Sequence, residues 1–358
     1  MDIVKRPVLI TGIDIGATKI SAVTAQADGA GSLTVLAHVT QPSAGISKGV
    51  FLDLHEATSS VSKVLKKLKE KLPNGLGDIY ANISGETVKG VLSKGMIPIS
   101  LRGREVTKAD MNKCINVAST IHLPIDREII HKVVHKFSVD DQTWIENPLG
   151  LYASRLSCEV YIITAGVNHI QNIYKCINNA GYDIKDVVFT GIADSEAVLS
   201  AEDRSNGAVL LDMGATLTNV IIFYGGAIQS IDVIPAGCRD ISSNFQDSIA
   251  LNEIISKTKS DISAFTGPAG NKPSIVLVGG ITFTDGLVEF LEDKFAYPIK
   301  MGISKDVRGD LSGLDSMRLI TALGLVKYAG QKHRARAAAK DLPKMISEKL
   351  IDIFNNYF

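Results

Sequence analysis

Two nearly identical phrases, Asp14-Ile15-Gly16-Ala17-Thr18-Lys19 and Asp212-Met213-Gly214-Ala215-Thr216-Leu217, stand about two hundred residues apart in the chain. An aspartate beside a glycine-bearing turn can do a particular piece of chemistry. The glycine permits positive φ and close backbone approach, the turn N–H groups converge on an anion, and the aspartate holds a hydrated Mg²⁺. Two such turns would grip one polyphosphate from both sides. This predicts Asp14, Gly16, Ala17, Thr18, Lys19, Asp212, Gly214, Ala215 and Thr216 as cofactor-binding residues, with Asp14 and Asp212 reaching the Mg²⁺ through water. One Asp-x-Gly-x-Thr phrase alone is more often an ordinary turn. Its repetition argues for two equivalent lobes, and the apolar run 275–278 ending in Gly279-Gly280 adds a third phosphate-side element.

The elements that must position these turns flank them. Each phrase follows an apolar run (8–13, 208–211) and precedes a β-rich one (20–24, 220–224), so each reads as a hairpin. A strand over 33–39 follows the Asp28-Gly29-Ala30-Gly31 turn and completes a meander. A glycine-punctuated loop, 42–53, leads to a helix near 55–72 with Val61, Val64, Leu65, Leu68 and Leu72 on one stripe. Lys63, Lys66, Lys67, Lys69 and Lys71 lie largely on the other side and read as a solvated face, not a basic binding patch. In the second half, Pro235-Ala236-Gly237-Cys238-Arg239-Asp240-Ile241 reads as the start of a helix, a further anion-friendly feature that adds Gly237 to the candidate site. Helices are expected over 167–180, 194–201, 249–265, 287–295 and 319–328, and a strand over 184–190.

Between residues 79 and 164 the phosphate signature is absent. A strand at 79–84, a helix at 107–121 capped by Thr107 with Asp110 three residues on, and strands at 128–139 and 157–164 describe a small α+β insertion. His131 and His135 lie four apart, but Ile129-Ile130 and Val133-Val134 favour a strand. There the two imidazoles would stand about 13 Å apart, too far to share a metal ion. Trp144 reads as a loop packing residue.

At 358 residues and 45% hydrophobic content the chain can bury more than one core, in keeping with two lobes. Lys plus Arg balances Asp plus Glu at 38 each, so no global field recruits nucleic acid. Cys114, Cys158, Cys176 and Cys238 show no metal spacing and read as thiols of a reducing compartment. Residues 1–7 lack the apolar core of a signal peptide, and no run approaches the roughly 20 apolar residues of a membrane span. The expected location is the cytoplasm.

Two hairpins followed by a strand and a Gly-Gly turn form the pattern of the actin, Hsp70 and sugar-kinase superfamily. Within it the chain resembles the FtsA family of actin-like bacterial division proteins. The resemblance covers residues 8–330. It rests on residues 12–22, the 42–53 loop, Val106-Thr107, Pro124-Ile125-Asp126-Arg127-Glu128-Ile129-Ile130-His131, Phe137-Ser138-Val139-Asp140-Asp141-Gln142 and Asn147-Pro148-Leu149-Gly150. It implies an α/β, two-lobed actin-like (ribonuclease H-like) fold with an FtsA-type α+β insertion in the first lobe. The first lobe would be 1–80 with 161–205, the insertion 81–160, and the second lobe 206–243 with 274–330. It also implies ATP and Mg²⁺ as ligands, at most a slow ATPase with no assigned catalytic residue, and a peripheral location on the inner face of the membrane at the division site. The implied partners are the FtsZ C-terminal tail, other division proteins, the lipid surface and further copies of the chain as a filament.

Three departures qualify that picture. The second hairpin has fewer glycines than is usual and ends on Asn219 where the family has an aspartate, Cys238 replaces a glycine, and Ile281 stands where a third glycine is usual. Only residues 244–273 join the halves of the second lobe, where the family carries a whole subdomain that supplies part of the purine pocket and the FtsZ-tail surface. No residue reads as a water-activating base. These features predict a phosphate clamp with a reduced adenine clamp, and hence weak nucleotide binding or none, with any bound nucleotide structural.

The chain closes with a basic, Ala-rich linker (331–340) and a helix (341–358) whose Ile346, Leu350, Ile353, Phe354, Tyr357 and Phe358 recur at helical spacing. A terminal helix of this kind either docks on its own protein or lies in a membrane interface. The resemblance favours the membrane. The competing readings are a sugar kinase of the same superfamily, for which a cleft aspartate base or a zinc motif is missing, and an FtsA-like pilus-assembly adaptor.

Overall fold

The computed structural model describes residues 8–28, 32–242, 244–264, 273–280, 284–309 and 311–340. The chain forms two compact units, Met1–Lys89 with Gly166–Gln331, and Gly90–Ala165 with Lys332–Phe358.

The first lobe of the larger unit opens with β1 (Val8–Ile15), β2 (Lys19–Ala27) and β3 (Leu33–Pro42), followed by α1 (Leu54–Glu70) and β4 (Asp78–Ile83). Asp53 starts α1 by accepting the N–H groups of His55 and Glu56. The helix then buries Val61, Val64, Leu65 and Leu68 and leaves Lys63, Lys66, Lys67 and Lys69 outside, as its amphipathic pattern requires. The chain next builds the smaller unit from β5 (Lys89–Pro98), α2 (Lys108–Ser119), β6 (Arg127–Val139), β7 (Gln142–Ile145) and β8 (Arg155–Gly166). It returns to the first lobe through α3 (Val167–Asn179), β9 (Ile184–Phe189) and α4 (Thr190–Val198).

The second lobe contains β10 (Ala208–Met213), β11 (Thr218–Tyr224), β12 (Ala227–Ile234), α5 (Ile249–Ala264), β13 (Ser274–Val278), α6 (Leu287–Phe295) and β14 (Ile299–Met301). The chain then adds β15 (Val307–Arg308) to the edge of the first sheet and ends its described part with α7 (Ile320–Lys340). The first-lobe sheet has the order β9-β4-β1-β2-β3-β15 and the second β12-β11-β10-β13-β14. Each contains three antiparallel strands joined in sequence, with two parallel strands added beside the first. The two phrases thus occupy the same β1–β2 turn of two sheets of one topology.

In the smaller unit the sheet β7-β6-β8-β5 packs α2 against one face, with Cys114, Ile115, Phe137, Leu156, Val160 and Ile162 in its core. Thr107 and Asp110 form the expected capping box, and Arg104 grips Asp110 through both carboxylate oxygens. His131 and His135 lie on β6, as their β-branched neighbours predict.

Four local expectations change. Trp144 belongs to the strand β7 rather than a loop. The segment after Pro235 makes only a three-residue 3₁₀ turn, Cys238–Asp240, and the helix expected there is absent. The loop 42–53 contains a small paired ladder, Ile46–Ser47 with Val50–Phe51. Residues 331–340 continue α7 instead of forming a linker, because alanine, lysine and arginine are all strong helix formers. The turn 29–31, the loop 267–270, Ile281 and the terminal segment 341–358 lie outside the described residues.

Two glycines allow α7 to pass beneath the sheets. A Cβ at Gly324 would sit 1.8 Å from the Ala193 carbonyl oxygen, and one at Gly12 would sit 2.3 Å from that of Ala322. The shortened stretch after residue 244 is also integral. In α5, Leu251, Ile254, Ile255 and Ile262 pack with Val209, Leu211, Val220 and Ile222 of the second-lobe sheet.

Candidate functional site

The two hairpin turns face one cavity of ≈ 400 Å³ within the larger unit. This falls in the range of small-ligand clefts. Its walls include Asp14, Gly16, Ala17, Thr18 and Lys19 from the first lobe, and Asp212, Gly214, Ala215, Thr216, Gly279 and Gly280 from the second. The turns are matched in detail. The Gly16 N–H donates to the Lys19 carbonyl at 3.1 Å, and the Gly214 N–H donates to the Leu217 carbonyl at 2.9 Å.

The glycines serve differently from the sequence expectation. Neither Gly16 nor Gly214 has positive φ. Space is the constraint instead, since a Cβ would lie 2.9 Å from the Lys19 carbonyl oxygen and 3.1 Å from that of Leu217. Gly279 does take φ +97°, and a Cβ there would meet the Met213 carbonyl and Asp212. Gly280 faces open space. Gly237 is not in the cavity wall. It packs beneath the second turn, where a Cβ would come within 2.6 Å of Ala215 and Thr216 backbone atoms, and the adjacent Cys238 and Arg239 N–H groups donate to Gly214 and Ala215. Its part is to support the turn.

Each aspartate is held by an asparagine. Asn82 donates to Asp14 Oδ1 at 2.9 Å while its own Oδ1 accepts the Ile15 N–H at 2.7 Å. Asn219 donates to Asp212 Oδ2 at 2.9 Å. Lys19 Nζ donates to the Arg318 carbonyl at 2.6 Å and acts on both carboxylates through its charge. Burial dominates their electrostatics. It raises Asp14 to about 6, opposed by Lys19 and the Asn82 bond and reinforced by Asp212. It also raises Asp212, with Asn219 opposing.

Asp194 is the residue that sequence reading missed. It lies on α4, all of whose residues are buried, and is itself 0% exposed. Burial and the negative charge of Asp212 push its pKa well above the usual carboxylate range. The Thr321 side chain opposes this shift, and with a proton Asp194 can donate to Asp212. On sequence alone Asp194 looks like the first residue of a surface helix. The available signal was its neighbourhood, since the small and apolar Gly191, Ile192, Ala193 and Ala197 mark a helix buried on all sides, where a carboxylate is out of place.

The donor set suits a hydrated, oxygen-seeking cation carrying a polyphosphate. It offers hard carboxylate oxygens and turn N–H groups. Among the described residues no three His, Cys, Asp or Glu side chains converge for direct ligation of a metal ion. Also among the described residues, no helix is long and apolar enough to cross a membrane.

Comparison with known proteins agrees with this architecture. Residues 85–164 match the family model for the SHS2 domain inserted in FTSA. The chain is 26% identical to the cell division protein FtsA of Borreliella burgdorferi, covering 96% of this chain and 97% of that one. It is 24% identical to the Pseudomonas aeruginosa protein of the same name, covering 90% of each. Among solved structures it is similar in fold to the PilM-PilN type IV pilus biogenesis complex, with a TM-score of 0.58 at 16% identity over 90% of this chain and 98% of that one.

Proposed function

The chain belongs to the FtsA family of the actin-like ATPase superfamily, and from that premise we propose that it tethers the division machinery to the cytoplasmic membrane. It is an FtsA-like cell division protein. The observation that carries the reading is the union, in one chain, of an SHS2 insertion with a cleft framed by two equivalent hairpins.

The cleft holds ATP by its phosphates. The turns 16–18 and 214–216 receive the phosphate oxygens, Asn82 and Asn219 orient the two carboxylates, and Asp14 and Asp212 hold a hydrated Mg²⁺ that neutralises the phosphate charge. Because α5 fills the place of a longer segment, recognition is led by the phosphates, and ATP and GTP should bind within a few-fold of one another. Hydrolysis is slow or absent, and the nucleotide acts as a structural ligand.

The working end is the segment 341–358. Its six large apolar side chains, at up to ~1.5 to 3 kcal/mol each for full burial, provide reversible attachment to a lipid surface. Assembly of copies into a filament multiplies that attachment by avidity. The FtsZ C-terminal tail and other division proteins are the expected partners, with the second lobe offering α5 as its outer helix. Co-sedimentation with anionic liposomes tests the tether. The full chain should pellet, and a chain ending at Lys340 should stay in solution. Equal pelleting of the two would refute the anchor.

A further inference from the structure

Two hydrogen bonds reach from one block of the first lobe to the second phosphate hairpin. Ser84, just after β4, donates its hydroxyl to Asn219 Oδ1, and the Lys48 backbone N–H donates to Thr216 Oγ1 at 3.1 Å. Both acceptors lie on the β10–β11 hairpin that carries Asp212. The two donors belong to one block, since a Cβ at Gly49 would lie 2.1 Å from the Ser84 carbonyl oxygen, so the Lys48-Gly49 turn rests directly on Ser84.

That block is shaped for its task at a local cost. Lys48 has φ 48°, left-handed for a residue with a side chain, and this geometry aims its N–H at Thr216. Asn219 is polarised by its surroundings. Asp212 accepts only, so the amide NH₂ must face it and the amide oxygen is left for Ser84. The bond between the lobes therefore depends on an amide that the cation-side carboxylate orients.

We propose that Ser84 and the Lys48-Gly49 turn form a latch that closes the first lobe on the second phosphate hairpin, and that Asn219 couples this closure to Asp212. The proposal rests on the reading of the cleft as a Mg·nucleotide site. Ser84 and Asn219 are then positioning residues whose effect falls on how long the ligand stays. Opening the latch leaves both phosphate turns intact, so entry is little changed while exit quickens.

Stopped-flow displacement of the fluorescent analogue mant-ATP, with Mg²⁺, from the full chain tests this. Ser84→Ala should release it about 3- to 10-fold faster, the scale of one lost buried hydrogen bond, with association within about 2-fold of the native chain. Ser84→Thr, which restores the hydroxyl, should return release towards the native rate. Release from Ser84→Ala at the native rate would overturn the latch. Hydrogen exchange of the nucleotide-free chain provides the second measurement. Exchange across residues 212–220 should rise several-fold in Ser84→Ala, and an unchanged pattern would also overturn it. If the native chain fails to bind mant-ATP, the nucleotide reading falls and the exchange result alone decides the latch.

Discussion

Replacing Asp14 by Ala lowers the affinity for Mg·ATP on the order of 100-fold, the scale of one desolvated charge-assisted contact of about 3 kcal/mol. Asp14 lies at the end of β1, is oriented by Asn82 and shares the cavity with both turns. Its loss removes a cation-side charge without disturbing the sheet. The pH dependence follows from its pKa, raised by burial to about 6. As pH falls through that value the carboxylate takes a proton and affinity drops, by up to tenfold per unit below it. Isothermal titration of the native chain and of Asp14→Asn between pH 5 and 8 measures this. Protonation of the nucleotide affects both proteins alike, so the difference between the two curves isolates Asp14. A variant that binds as tightly as the native chain would show that the ligand sits elsewhere.

The same burial makes the carboxylates of this region a source of instability, and Asp194 should show this most clearly. Replacing it by Asn should raise stability at pH 8 on the order of 2 to 4 kcal/mol, because a fully buried charge beside the like charge of Asp212 is removed. For a unit of this size that is roughly 5 °C or more in melting temperature. The sign follows from the direction of the shift. A carboxyl whose pKa is raised on folding contributes stability that is fully present below its unfolded value, near pH 4, and is lost as pH rises through the folded value. The advantage of Asp194→Asn should therefore be near zero at pH 4 and grow towards pH 8. Asparagine keeps a donor toward Asp212, as the protonated acid does, so nucleotide affinity should change little. Thermal unfolding of both chains across this pH range checks it, and a variant less stable than the native chain at pH 8 would contradict it.

The parts of the fold that were legible in the chain share a cause. The two Asp-x-Gly-Ala-Thr phrases sit between apolar runs of strand length, and period and turn chemistry together specify a hairpin wherever such a pattern falls. Likewise α1 declares itself through its apolar stripe and Asp53, and α2 through Thr107 and Asp110. What failed depended on tertiary context. Gly237 looks like a phosphate residue because it precedes a polar turn, yet its constraint comes from the backbone of Ala215 packed above it. Residues 331–340 read as a linker by charge, but they extend a helix that the core has already nucleated through Leu323, Leu325 and Val326. Asp194 is separated in sequence from Asn82 and Ser84 by more than a hundred residues, and the three become one site only when β4, α4 and the second hairpin are brought together.

The central claim is that this chain works at the division site as a membrane-bound FtsA-like protein, and imaging it in its own cells as a fluorescent fusion tests that claim most directly. The account predicts a band at the constricting site for the full chain and diffuse signal for the chain ending at Lys340. A full-length fusion that stays diffuse or gathers away from the division site would contradict it.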